Sequence, residues 1–181
     1  MQPMVRDKLS PVGPGVAEGS EELVDAVLAA SRALVAVAAR SLVDVAEDVT
    51  LVQYRVLVEL AARGPQRVAD LAGVLGVDPS TATRMCDRLV RKGLASRRRA
   101  SSDRRSVRIS LAVAGRDLVE QVSRKRRAEL EAILARLPRE DRRPVLGALR
   151  AFADAAGEVP EQEWSLGWRL SESTPLAVGR Q

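Results

Sequence analysis

Arginine side chains crowd residues 78–110, where their spacing suits first one face of a helix and then a hairpin. This stretch has ten basic and three acidic residues, a net charge of +7, whereas the rest of the chain has 19 basic and 21 acidic residues. A cationic patch gains affinity for a phosphate backbone by releasing condensed counterions. The alternative interpretation of a charge run is a solvated surface. Nucleic-acid binding is favoured because the run coincides with a two-faced helix and a hairpin.

A helix with two distinct faces is predicted from Pro79 to about Lys92. Asp78 is a typical N-cap, Pro79 suits the first helical position, and Gly93 can supply the left-handed residue that ends the helix. At about 100° per residue, an apolar side and a polar, basic side result. The apolar side consists of Ala82, Met85, Cys86, Leu89 and Val90, and the other side of Ser80, Thr83, Arg84, Asp87, Arg88 and Arg91. One side can pack while the other stays free to bind.

A β-hairpin with an arginine-rich tip is predicted to follow this helix. Its strands span 94–99 and 106–111, and its tip spans 100–105. Apolar and polar residues alternate in the second strand, as a half-buried strand requires. The apolar positions are Val107, Ile109 and Leu111. A two-faced helix followed by such a hairpin is typical of a winged helix-turn-helix.

Five further helices are predicted from apolar residues that recur at helical spacing. The second opens with a capping box at Thr50 and Gln53 and stops at Gly64, which precedes Pro65. Its predicted buried side consists of Leu51, Val52, Val56, Leu57 and Leu60. The predicted spans are about 20–48, 50–63, 67–75, 114–137 and 145–157. The expected fold is therefore mainly α with a small β-hairpin wing, a winged helix-turn-helix plus a helical dimerisation region.

The terminal helices have too little to bury against within one chain. The simplest partner is a second copy, with the N-terminal helix and the last two helices interleaved across a two-fold axis. The predicted segments are an irregular arm at 1–19, a dimerisation helix at 20–48, a winged helix-turn-helix DNA-binding domain at 49–112, C-terminal dimerisation helices at 113–157 and a tail at 158–181.

Composition excludes several classes of site. A single cysteine and no histidine rule out an intrachain disulfide, Cys/His zinc patterns and Ser/His or Cys/His catalytic pairs. Phosphate-cradling glycine loops are absent too, so we expect neither an enzyme nor a bound cofactor or metal. Residues 1–15 lack the continuous apolar core of a secretory signal, and charged residues interrupt the apolar stretch at 26–46. We therefore expect a cytoplasmic protein.

The run from about Ser20 to Gly157 resembles the MarR family of transcription regulators, which are dimeric winged helix-turn-helix proteins. Two motifs carry the resemblance. Residues 70–94, DLAGVLGVDPSTATRMCDRLVRKGL, are similar to the family's helix-turn-helix, and Asp103-Arg104-Arg105 fits its Asp-x-Arg wing signature. The resemblance implies that a small molecule, bound between the dimerisation region and the winged domain, lowers the affinity for DNA.

The resemblance also implies roles for individual side chains. Arg105 would enter a minor groove, with Asp103 steadying the wing. The residues in or beside the adjacent major groove would be Ser80, Thr81, Thr83, Arg84 and Arg88.

Recognition chemistry gives these side chains roles independently of any family. The first turns of a recognition helix reach base edges, so Thr83 and Arg84 are the expected base readers, the alternative for Arg84 being an exposed surface arginine. Arg105 on a hairpin tip suits a narrow, electronegative minor groove. Strand alternation lets only some of the arginines at 97–99 face DNA. The predicted DNA-contacting set is completed by Arg97, Arg99 and Arg104.

Four other residues have a structural and a functional interpretation. Cys86 lies in the apolar sector of its helix, which favours packing over redox sensing. Tyr54 either anchors its helix in the core, the favoured interpretation, or hydrogen-bonds a ligand. Trp164 and Trp168 either pack on the dimer or stay mobile, and the Pro, Ser and charge content of the tail slightly favours mobility.

The sequence thus predicts a homodimeric, sequence-specific regulator that binds a pseudo-palindromic operator in double-stranded DNA, most often as a repressor released by a small-molecule effector. The alternative is a winged-helix module that binds DNA without sequence preference or binds a protein partner. The ratio of specific to non-specific affinity separates the two.

Overall fold

The computed structural model describes residues 19–99, 107–161 and 164. The helices are α1 (Gly19–Val43), α2 (Leu51–Arg63), α3 (Val68–Leu75), α4 (Pro79–Arg91), α5 (Val113–Leu134) and α6 (Arg142–Ala155), and the strands are β1 (Ala95–Arg99) and β2 (Val107–Leu111). The predicted fold class, mainly α with a small β-hairpin wing, is confirmed. The predicted N-terminal arm lies outside the described residues, apart from Gly19, which begins α1.

Helix α1 ends at Val43, so the predicted extension to Asp48 is wrong. The Leu42 carbonyl accepts the backbone N–H groups of two residues in the following turn, at 3.0 and 2.8 Å. This turn brings Val49 into the core. Burial of an apolar side chain therefore outweighs the continued helical propensity of the segment.

Helix α2 begins with the predicted capping box. The Gln53 N–H donates to Thr50 Oγ1 at 3.2 Å, and the Thr50 N–H donates to Gln53 Oε1 at 3.3 Å. Gly64 ends the helix with a φ of 75°. The predicted buried side is wrong at Leu51 and Val52, which lie in the first turn of the helix and are exposed, whereas burial begins at Gln53. The buried apolar side chains of α2 include Tyr54, Val56, Leu57 and Leu60.

Helices α3 and α4 form the helix-turn-helix around Gly76, whose φ of 64° is the left-handed conformation that glycine adopts without strain. Helix α4 starts at Pro79 and ends one residue before the predicted Lys92, which is its C-cap. Gly93 follows with a φ of 71°. The buried residues of the two helices are Leu71, Ala72, Ala82, Cys86 and Leu89. The predicted packing side of α4 thus faces the core.

The wing is an antiparallel hairpin in which Arg97 pairs with Ile109. Its base is attached to the α2–α3 connection, because the Gln66 N–H donates to the Ile109 carbonyl at 3.0 Å and the Ile109 N–H donates back at 2.7 Å. Strict alternation is wrong at two positions, since Val107 is exposed and Ser110 is buried. The base of β2 is covered on both faces, whereas its outer end is not.

Helix α5 approaches the base of the wing closely at Gly115. A Cβ at this position would lie 2.0 Å from the Leu94 carbonyl oxygen, so only glycine fits without a shift of the backbone. The Ala112 N–H donates to the same carbonyl at 3.1 Å. The first half of α5 then enters the core through Leu118, Val119 and Val122. This contact fixes the start of α5 to the winged domain.

The end of α5 and most of α6 are exposed in the single chain. Helix α5 stops at Leu134, three residues before the predicted end at Leu137, and continues as a turn in which the N–H groups of residues 136 and 137 bond carbonyls three residues back. Helix α6 contributes no buried residue. The exposed apolar side chains of this region are Ile133, Leu134, Leu146, Leu149 and Phe152.

Trp164 contradicts the preference for a mobile tail. Its side chain is buried against the core, and its Nε1–H donates to the Val159 carbonyl at 2.9 Å. The apolar area that an indole removes from water outweighs the conformational entropy of the segment that carries it. The preference is therefore wrong at this residue, while Trp168 lies outside the described residues.

Candidate DNA-binding surface

Asp78 organises the N-terminus of α4, as its N-cap position predicts. Its Oδ1 accepts the N–H groups of Ser80 and Thr81, both at 3.0 Å. The same carboxylate accepts the hydroxyl of Ser80 at 2.5 Å and that of Thr81 at 2.7 Å. These side-chain hydrogen bonds, followed by the backbone ones, hold the pKa of Asp78 far below its ordinary value. The helix terminus is thus fixed by a carboxylate that stays ionised.

The hydroxyl groups near this terminus are oriented by bonds within the helix. Thr83 Oγ1 donates to the Pro79 carbonyl at 2.8 Å, and the Arg84 guanidinium donates to Thr81 Oγ1 at 3.2 Å. The Ser80 and Thr81 protons are directed at Asp78, so these two oxygens face outward chiefly as acceptors. Ser80, Thr81 and Arg84 are therefore connected through Asp78, whereas Thr83 is held separately by the helix backbone.

Three arginines extend the surface along α4. Arg84, Arg88 and Arg91 are spaced four and three residues apart, so they share a helix face, and all three are exposed. None of them forms an ion pair with a carboxylate in the described parts of the chain. Their charge is therefore uncommitted and can meet phosphates or base edges.

Arg97, in contrast, is committed within the chain. Its guanidinium pairs with the Asp87 carboxylate of α4, so it braces the wing against the recognition helix. The sequence predicts a DNA contact for Arg97 and no partner for Asp87. A contact between a strand and a helix cannot be read from the spacing of residues within either element. Arg99 is the last residue of β1. The predicted contacts at Asp103, Arg104 and Arg105 lie outside the described residues.

Two further cations of the basic stretch are also structural. Lys92 Nζ pairs with the Asp48 carboxylate and donates to the Asp48 carbonyl at 2.9 Å, which ties the end of α4 to the α1–α2 turn. The hydrogen bond from Lys92 is the largest cause that lowers the pKa of Asp48. Arg108 donates to the Pro65 carbonyl at 3.2 Å. Net charge alone therefore overstates the number of cations that are free for a ligand.

Cys86 lies on the opposite side of α4, where it packs in the core. The thiol is fully buried, and burial, followed by the charge of Asp87, raises its pKa. A thiol with a raised pKa forms little thiolate, the reactive form. Tyr54 is likewise in the core, where Arg126 lies 5.7 Å from its ring centroid. Within the described residues, no group of three or more His, Cys, Asp or Glu side chains is placed to hold a metal ion.

Comparison with known proteins now decides the family. Residues 49–107 match the model of the MarR family. The HTH-type transcriptional repressor MdtR of Bacillus subtilis is 31% identical over 121 residues, which span 67% of this chain and 78% of that protein. The chain belongs to the MarR family. It is therefore a DNA-binding transcriptional regulator with a winged helix-turn-helix, and members of this family are not known as enzymes.

Solved MarR-type structures share the architecture over nearly their whole length. The crystal structure of Rv1404 from Mycobacterium tuberculosis is 41% identical and has a TM-score of 0.75, covering 80% of this chain and 99% of that one. Wild-type MarR from Escherichia coli, in its apo form, is 25% identical with a TM-score of 0.60, covering 77% and 98%. The helices on both sides of the winged domain are thus part of the shared fold.

Proposed function

We propose that this MarR-family regulator is a homodimeric repressor that recognises a specific pseudo-palindromic operator. The observation that carries the proposal is the uncommitted arginine face of α4, which starts at an N-terminus fixed by Asp78. Arg84 and Thr83 read bases, since they lie in the first turns of the recognition helix. Supporting contacts to the major groove and its phosphates come from Ser80, Thr81 and Arg88.

The wing supplies the second contact. Arg105 enters the minor groove, steadied by Asp103, and Arg99 and Arg104 add positive charge. Arg97 contributes less than its charge suggests, because Asp87 already neutralises part of it. In this assignment the wing adds affinity and a preference for groove shape, whereas α4 carries the base preference.

A second copy is the partner proposed for the terminal helices. In α1, the 24-residue segment Ser20–Val43 has a mean hydropathy of 1.7 in its most apolar window, and only 17% of that window is buried. By length and composition it could cross a membrane, which is weak evidence. The end of α1 enters the core of the winged domain, which favours a helix covered by another protein surface instead. We accordingly propose α1, α5 and α6 as the dimerisation region and 49–112 as the DNA-binding domain of a cytoplasmic protein.

Release by a small molecule is the proposed control. Support comes from BpsR of Bordetella bronchiseptica, 25% identical with a TM-score of 0.56, whose DNA binding is regulated by 6-hydroxynicotinic acid. The assignment as a repressor is supported by the similarity to MdtR. An effector that favours a spacing of the recognition helices that no longer fits the operator would lower the affinity for DNA.

Selection from a random-sequence duplex library tests the function. A repressor enriches a pseudo-palindrome with half-sites about one helical turn apart, and binds it roughly 10³-fold or more tightly than scrambled DNA at fixed salt. A ratio near one would instead favour the winged-helix module that binds DNA without sequence preference. An enriched single half-site bound by a monomer would contradict the dimer.

A further inference from the structure

The segment after α6 is bound to α2 by Arg63, at the C-terminal end of the helix, and by Arg55, nearer its start. We call residues 157–161 together with Trp164 the C-terminal strap. The Gly157 carbonyl accepts a hydrogen bond from the Arg63 guanidinium at 2.8 Å. The Glu158 carboxylate accepts two from Arg55, at 2.6 and 3.1 Å. A bidentate arginine–carboxylate pair fixes direction as well as distance, so the start of the strap is oriented on α2.

The far end of the strap is anchored separately. Glu161 pairs with Arg127 of α5 at 3.1 Å. Trp164 is buried against the core, and its indole N–H returns to the Val159 carbonyl. The strap is therefore held at both ends, by α2 where it leaves α6 and by α5 and the core where it ends.

Glu59 lies beneath this contact and has only 2% of its surface exposed. One carboxylate oxygen pairs with Arg55 at 2.8 Å and the other pairs with Arg63 at 3.1 Å. A buried carboxylate needs such partners, because an uncompensated charge in the interior is strongly unfavourable. The two arginines that grip the strap are thus held in place by the same buried side chain.

The base of the wing is attached at the same end of α2. The Gln66 side-chain amide donates to the Glu59 carbonyl at 3.1 Å, and the Gln66 backbone pairs with Ile109 of β2 in both directions. Arg108 of β2 donates to the Pro65 carbonyl. The strap and the wing therefore share one anchor, the turns of α2 around Glu59.

We propose that Glu59 is a positioning residue for DNA binding, which fixes the strap, and with it α6, relative to the wing. Helix α6 buries none of its own residues in the chain, and the strap that follows it is bound to α2 through Arg55 and Arg63. The inference rests on the proposed dimeric function, because α6 belongs to the surface assigned to the second copy. Glu59 thereby sets the spacing of the two DNA-binding domains without touching DNA.

Two variants test this role. Glu59→Gln removes the buried charge, and Glu158→Gln removes only the partly exposed partner of Arg55, so the second variant remains informative if the first unfolds. Asp44→Asn is the matched control, since it breaks an ion pair with Lys125 of similar exposure that has no link to Glu59. Folding of each variant is checked by circular dichroism.

The probe is the duplex that the parent protein selects from a random library, compared with the same duplex in which one half-site is scrambled. Both variants should bind the full site roughly three- to thirtyfold more weakly, while binding to the half-site duplex changes by less than about twofold. The control should bind both duplexes as the parent does. Parent-like binding to the full site, or an equal loss on both duplexes, would overturn the inference.

A DNA-free measurement separates this inference from the proposed function. Spin labels at the exposed positions Arg91 and Arg150 report the distance between α4 and α6 in the full protein with Cys86→Ala. A broader distance distribution is expected in Glu59→Gln and Glu158→Gln, and a parent-like distribution would overturn the positioning role. If the parent selects no preferred duplex, the proposed function fails, while the label distances still decide whether Glu59 fixes α6 relative to the winged domain.

Discussion

The winged domain buries its large apolar side chains, whereas the terminal helices expose many of theirs. The winged domain encloses its apolar side chains and presents charge, with Leu57, Leu71 and Leu89 fully buried and the arginines of α4 exposed. The first half of α1 and most of α6 expose apolar side chains instead, and Phe152 in α6 has 57% of its surface exposed. The winged domain has a closed core within one chain. The terminal helices have an exposed apolar surface of the kind that marks a protein interface.

The difference separates stability from assembly. Substitutions in the winged core should lower stability at any protein concentration. Substitutions in α6 should instead shift the concentration-dependent equilibrium between monomer and dimer.

Leu57→Ala should lower the free energy of unfolding by about 2–5 kcal/mol, because truncating this fully buried side chain leaves a cavity in the core. Urea denaturation at two protein concentrations measures the loss, which should be the same at both. A loss below about 1 kcal/mol would mean that the winged core is not closed around Leu57.

Leu149→Ala should lower the apparent stability by roughly 1–3 kcal/mol at high protein concentration, since it removes an exposed apolar side chain from the surface proposed for the second copy. The loss should fade on dilution, where unpartnered chains dominate. Melting temperatures across a hundredfold concentration range, together with sedimentation, measure this. A loss independent of concentration would mean that Leu149 stabilises the single chain, and would contradict a role of α6 in dimerisation.

Cys86→Ala should cost about 1 kcal/mol for a small truncation in the core and leave DNA binding unchanged. Because burial raises the pKa of the thiol, the parent should also keep its DNA affinity under mild peroxide. Affinities of both proteins with and without oxidant are the measurement. Loss of binding in the oxidised parent alone would identify a thiol-based sensor.

Asp78 should give the smallest effect on stability, with a characteristic dependence on pH. Its folded-state pKa is lowered, so its contribution is complete above the ordinary carboxylate value and is lost as pH falls toward the folded value. The stability gap between the parent and Asp78→Asn should be constant near neutral pH and narrow below about pH 4. Denaturation curves from pH 7 to pH 3 measure the gap, and a gap that widens in acid would contradict the cap.

Local features of the fold were predictable from the sequence. Asp78 followed by Pro79 predicts the start of α4, and Thr50 with Gln53 predicts the start of α2, because a cap is read from residues two or three positions apart. The two-faced pattern of α4 likewise predicted which side packs. In these cases the physical cause is contained within a few consecutive residues.

Contacts between distant segments were not predictable in the same way. Asp87 with Arg97, Arg55 with Glu158, and the burial of Trp164 depend on how elements pack, and no helical or strand spacing in the sequence predicts them. The end of α1 was missed for the same reason, since the turn after Leu42 is favoured by tertiary burial. The basic stretch at residues 78–110 therefore includes cations that hold elements of the fold together and are not free to bind DNA.

We propose that the free face of α4 reads sequence while the wing adds affinity. The affinities of Arg84→Ala and Arg105→Ala for a panel of operator variants at several salt concentrations test this division of roles. Arg84→Ala should cost about 1–3 kcal/mol on the preferred site and relax the preference at one base position. Arg105→Ala should weaken all sequences alike and reduce the salt slope by about one. Uniform losses on every sequence with both variants would show that Arg84 contacts only phosphate and would contradict the claim.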